Sequence, residues 1–95
     1  MEKGMEKETY AEELAKLKKE FPYLTEEDLA RMKKDFTYHP PKGDQPERYL
    51  AIREAAGGLA LILMGRCPPS RERSLALTAL EEAVMWANAS IARNE

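Results

Sequence analysis

Along most of this chain apolar residues recur every three or four positions, the spacing of one helix face. Their density changes near the middle. Residues 6–20, EKETYAEELAKLKKE, carry only Tyr10, Leu14 and Leu17 on one face among many charges. So narrow a stripe predicts a solvated or weakly docked helix. Phe21-Pro22-Tyr23 ends it, because proline lacks an N–H and pushes the residue before it out of helical geometry. Thr25, with Asp28 three positions on, predicts an N-cap opening a second short helix through Lys34. Acidic residues 26–28 at its start and Arg31, Lys33 and Lys34 near its end both suit the helix dipole.

Beyond residue 45 the apolar surface broadens. A third helix is expected there, capped by Asp44 or Gln45, with Pro46 in a first turn where a missing N–H is harmless. Tyr49, Ile52, Ala56, Leu59 and Leu63 follow at heptad spacing, and Leu50, Ala51, Ala55, Ile62 and Met64 extend the apolar surface past one stripe. Gly65 and Cys67-Pro68-Pro69 end the helix. Ser70 then caps a last helix running to about Arg93. One of its faces carries Leu77, Leu80, Val84, Ala87 and Ile91; another carries Ala76, Ala79, Ala83, Trp86 and Ser90. Two long helices joined by so short a loop form an antiparallel hairpin.

Each hairpin helix is apolar over more than half its circumference, yet a two-helix hairpin buries only one face of each. The N-terminal helices offer few large apolar residues to cover the rest. Self-association is therefore expected, since a monomer rarely exposes such a surface. Gly57-Gly58 inside the third helix costs on the order of 1 kcal/mol per glycine relative to alanine. Two readings stand: a tolerated kink, or close approach by another helix or a ligand. The fold class expected is all-α, an antiparallel helical hairpin with short N-terminal helices that assembles into a homo-oligomer. Residues 1–35 read as a helical extension, and residues 36–95 as the hairpin domain that binds ligand and oligomerises.

Composition narrows the function. Ninety-five residues suit one small compact domain, and 43% apolar with 34% charged residues describes a folded, soluble chain. A net charge of −2 argues against a general DNA binder, which would show a basic excess. Cys67 is the only cysteine, so neither an intrachain disulfide nor a cysteine-rich zinc site follows; a buried structural thiol is the plain reading. The charged N-terminus lacks the apolar stretch of a signal peptide, and GGLALILMG at 57–65 is too short to span a bilayer. A cytoplasmic protein with no membrane partner is expected. His39 is the only histidine, and Glu81 and Glu82 project in different directions on a helix. Neither a nucleophile with its base nor a metal cage can be assembled, so no enzyme, metal or cofactor is expected.

Binding is better served. The elbow FTYHPPKGDQPERY, residues 36–49, places Tyr38 and His39 before two prolines, with Lys42, Arg48 and Arg53 on the same loop or in the first two turns of the next helix. A tyrosine face held by stiff chain can stack on a nucleobase, cations can meet phosphates, and the start of the third helix favours anions. Those are the ingredients of a site for an aromatic anion such as a nucleotide. The same residues also read more plainly, with Tyr38 as a packing aromatic, His39 as a loop hydrogen-bonder and the cations as a solvated face.

FTYHPPKGDQPERYLAIR and CPPSRERSLALTALEEAVMWANASIARNE resemble a family of small phage hairpin proteins. It includes sponges that sequester the cyclic oligonucleotide messengers of bacterial CBASS immunity. The resemblance covers roughly residues 36–95, with residues 1–35 outside it. It implies a homo-oligomer, a hexamer, whose neighbouring hairpins build the pockets. It implies cyclic dinucleotides such as cGAMP as ligands, bound and not cleaved, in the infected host cytoplasm. Tyr38 would stack on a base and Arg53 would hold phosphate, with His39 and Lys42 beside them. A second pocket, near a symmetry axis, would take cyclic trinucleotides, with Arg71 or Arg93 contributing. The alternative is a non-enzymatic helical oligomerisation or protein-interaction module.

Overall fold

The computed structural model describes residues 9–95 as four helices, with no strand among them. They run as α1 (Tyr10–Leu17), α2 (Glu26–Asp35), α3 (Gln45–Arg66) and α4 (Arg71–Asn94). The chain divides into two compact units, residues 1–38 and 39–95.

In the first unit both helices begin on a capping box. Thr9 Oγ1 accepts from the Glu12 N–H at 3.1 Å, and Glu12 Oε1 accepts from the Thr9 N–H at 2.9 Å. Thr25 and Asp28 repeat the exchange at 3.0 and 3.2 Å. The first helix was expected to span residues 6–20. Residues 6–8 lie outside the described part, and α1 ends at Leu17, three residues earlier. Beyond Leu17 the chain tightens into a turn, the Leu17 carbonyl accepting from both the Glu20 N–H at 3.1 Å and the Phe21 N–H at 2.9 Å, and Pro22 keeps Phe21 from continuing the helix. Leu29 of α2 is the one buried apolar residue among those described. Lys33 joins the two helices, pairing with Glu13 while lying 5.3 Å from the Tyr10 ring centroid.

The second unit is the hairpin. Gly43 has φ +56°, a left-handed turn that favours glycine, and leads into Asp44, the N-cap of α3. The Asp44 side chain makes no cap bond; its Oδ1 lies 3.2 Å from Arg48 Nη2. At the far end Ser70 caps α4, its Oγ accepting from the Arg73 N–H at 3.1 Å. The Arg73 guanidinium reaches back to the Met64 carbonyl at 2.8 Å, satisfying an acceptor that the end of α3 leaves open.

Along the shared seam Ile52, Ala56, Ala60 and Leu63 of α3 are half-buried, as are Leu77, Leu80, Val84, Ala87 and Ile91 of α4. The α4 stripe is the one its sequence predicts. In α3, Ala60 takes the place expected of Leu59, which stays 46% exposed. At 3.6 residues per turn, Leu59 and Ala60 lie on either side of the line through Tyr49, Ile52, Ala56 and Leu63, and α4 meets the Ala60 side. No apolar side chain of α3 or α4 reaches full burial; the one buried residue of either helix is Gln45. Leu61 is 72% exposed and Trp86 65%.

The open end of the hairpin is closed by charge. Arg48 donates through Nη1 to Glu95 Oε2 at 2.8 Å and through Nη2 to Glu95 Oε1. Gln45 Nε2 donates to the same Oε1 at 3.1 Å, and Lys42 Nζ to the Glu95 main-chain oxygen at 2.8 Å. Gln45 also turns its Oε1 to the Lys42 N–H at 3.1 Å, tying the elbow to the helix. Arg48, then Gln45, holds the Glu95 carboxyl down at about 2, and the carboxylate raises the guanidinium further above its ordinary value.

Two outcomes follow from this packing. Leu29→Ala is expected to cost roughly 2–5 kcal/mol, seen as lost amide protection in α1 and α2 by hydrogen exchange; unchanged protection would contradict Leu29's role there. For the clasp, the folded-state value of Glu95 lies below the ordinary 4.5, so its contribution is complete above about pH 4.5 and vanishes as pH falls through about 2. The thermal midpoint of Glu95→Gln should fall below the parent's near neutral pH and meet it at about pH 2. A gap that survives unchanged in acid would mean the clasp does not act through charge.

Candidate ligand-binding site

The elbow and the first turns of α3 place the expected site residues in distinct settings. Tyr38 closes the first unit and is 80% exposed. His39 opens the second unit and is half-buried. Pro40 and Pro41 follow, each with its φ fixed by the ring.

Lys42 is exposed, but its ammonium group rests on the main-chain oxygen of Glu95. Arg48 is turned to Glu95 and Asp44. Two of the cations that the sequence offers to phosphate are therefore engaged by the chain's own acceptors. Arg53 is different. It is exposed and lies about 12 Å along the α3 axis from Gln45, at the helical rise of about 1.5 Å per residue. It borders an open groove of about 730 Å³ between α3 and α4, otherwise lined mainly by apolar side chains such as Leu77, Leu80 and Met85.

Gly57 also lines that groove. A Cβ added at Gly57 or Gly58 would meet nothing within 4 Å, so neither glycine is required by packing within the described chain. The helix runs through them without interruption.

Arg71 and Arg93 are not brought together in one copy. Arg71 begins α4 and Arg93 lies in its last turn, separated by roughly 33 Å of helix. Only a neighbouring copy could place both at one pocket.

The role of Gln45 escaped the sequence reading, which weighed it as a helix cap. It is 4% exposed and links the elbow, α3 and the end of α4. The signal was present in the register. A turn at residues 67–70 between helices of 22 and 24 residues sets the start of α3 opposite the end of α4, and so Arg48 opposite Glu95.

No curated protein and no solved structure matches this chain. A protein-family model does, the Acb2/Tad1 hairpin domain, over residues 28–92. The match takes in α3 entire and nearly all of α4, together with the elbow that carries Tyr38, His39 and Lys42. By the match over most of its length, the chain belongs to the Acb2/Tad1 hairpin-domain family, the anti-CBASS and anti-Pycsar sponges, which are binding proteins and not enzymes.

Proposed function

We propose that this chain is a phage-encoded sponge that binds cyclic di- and trinucleotide immune messengers and holds them uncleaved, so that CBASS effectors stay inactive. It works as a homo-oligomer, a hexamer, in the cytoplasm of the infected cell, through residues 36–95. What carries the reading is the match of the hairpin to the sponge family's hairpin domain. The geometry supports it in two ways. Helices α3 and α4 leave every apolar side chain short of full burial, a surface that neighbouring copies would cover. The chain also carries an exposed tyrosine, Tyr38, two positions before a pair of prolines.

In this reading Tyr38 stacks on a base and Arg53 neutralises phosphate, with His39 and Lys42 at the pocket's edge. Arg71 and Arg93, at opposite ends of α4, meet across copies at a second pocket for cyclic trinucleotides. Sequestration is mass action: the sponge must be abundant and bind more tightly than the effector does. Nanomolar binding corresponds to about −12 kcal/mol. Stacking supplies roughly 1–3 kcal/mol per base, and charge-assisted contacts to two phosphates in a preformed pocket add to it.

Calorimetric titration with a panel of cyclic di- and trinucleotides, cGAMP among them, tests the assignment when the ligand is then recovered by heat and weighed by mass spectrometry. Saturable binding with intact ligand is expected. Tyr38→Ala should weaken it by roughly 1–3 kcal/mol, and Arg53→Ala by about tenfold or more. A linear product would make the protein a phosphodiesterase. Absence of affinity across the panel would leave the helical protein-interaction module. Full affinity in both variants would move the site elsewhere.

A further inference from the structure

The clasp at the open end of the hairpin has the form of an occupied binding site. Donors from two side chains, the Arg48 fork and the Gln45 amide, converge on a single carboxylate, with Lys42 on the adjoining main-chain oxygen. These donors are side-chain groups; none is a free amide of the helix start. We propose that this is an autoinhibitory contact, in which the Glu95 carboxylate occupies a cradle of Arg48, Gln45 and Lys42 that otherwise takes a phosphate-type oxyanion.

The cradle is built for an anion and not for a neutral group. Arg48 presents two parallel N–H donors, the geometry that suits carboxylate and phosphate alike. Gln45, the one buried residue of either hairpin helix, is fixed from its other side by the Lys42 N–H, so its amide points at the anion without rearrangement. The low protonation point of Glu95 expresses the same preference from the acid's side.

The occupant, by contrast, is placed to leave. Glu95 follows the last residue of α4, and its side chain is 41% exposed. Rotating that one side chain empties the cradle without unwinding a helical turn. Charge decides what would replace it. Lys42 and Arg48 are balanced by Glu95 and by Asp44, whose Oδ1 stays 3.2 Å from Arg48 Nη2. Replacing the Glu95 side chain removes one negative charge from this group and leaves Asp44 as its one side-chain carboxylate. A free monocarboxylate would gain little over the tethered one, whose effective concentration is on the order of millimolar. A phosphate dianion, with more charge and more acceptor oxygens, competes better.

The inference does not rest on the nucleotide reading, because its probe is inorganic phosphate and its readout is binding. Phosphate is titrated into the full chain, the Glu95→Ala variant and the double variant Glu95→Ala with Arg48→Ala, at constant ionic strength. Circular dichroism verifies that each remains helical. Glu95→Ala should bind phosphate about tenfold more tightly than the parent, as expected for release of a tethered competitor, and the double variant should lose that gain. Equal affinity in the parent and Glu95→Ala overturns the proposal, as does a gain that survives removal of Arg48. Should the variants lose helicity, the parent alone decides. Phosphate should shift the Gln45 side-chain amide and Glu95 backbone amide resonances together and saturably, and resonances that stay fixed at saturating phosphate overturn it.

Discussion

Two helices share one interface, and α3 and α4 carry more apolar surface than one interface can cover. The rest of the molecule follows from that excess. Small residues such as Ala56, Ala60 and Ala87 make up much of the seam, while Leu61, Met85 and Trp86 stand outside it. Covering a large apolar side chain is worth roughly 1.5–3 kcal/mol, so copies that place these residues against one another gain what the isolated hairpin lacks. Polar contacts therefore do much of the work of holding a single hairpin in shape: Arg73 at the turn and the Glu95 clasp at the open end.

The division of labour among the cations comes from the same arrangement. Closing the hairpin by charge draws Lys42 and Arg48 onto the chain's own oxygens. Arg53, five residues and about 7.5 Å further up α3 than Arg48, lies beside the groove. In the proposed function, Arg53 is the cation that meets a ligand phosphate. Gly57 keeps that part of α3 bare.

Local chemistry was legible in the sequence where it is decided locally. Thr25 with Asp28, Ser70, Pro46 and the Cys67-Pro68-Pro69 stop each act within a few residues, and each marks a helix end as read. The α4 stripe was legible for the same reason. The exchange of Leu59 for Ala60 in the seam was not, because it depends on which side of the α3 stripe α4 meets. The clasp was hidden more deeply. Gln45 and Arg48 meet Glu95 across about 50 residues of chain, and nothing near either end announces the pairing. The candidate site was legible only as a set of residue types. Which cation remains open to a ligand depends on tertiary competition, and the separation of Arg71 from Arg93 depends on the length of α4.

The central claim, that surplus apolar surface on the hairpin gathers copies whose junctions hold a cyclic nucleotide, is tested most directly by sedimentation velocity with a labelled cyclic dinucleotide. The account predicts one discrete species of several chains, with the label travelling in the same boundary. Single chains at every concentration, with the label left behind, would contradict it.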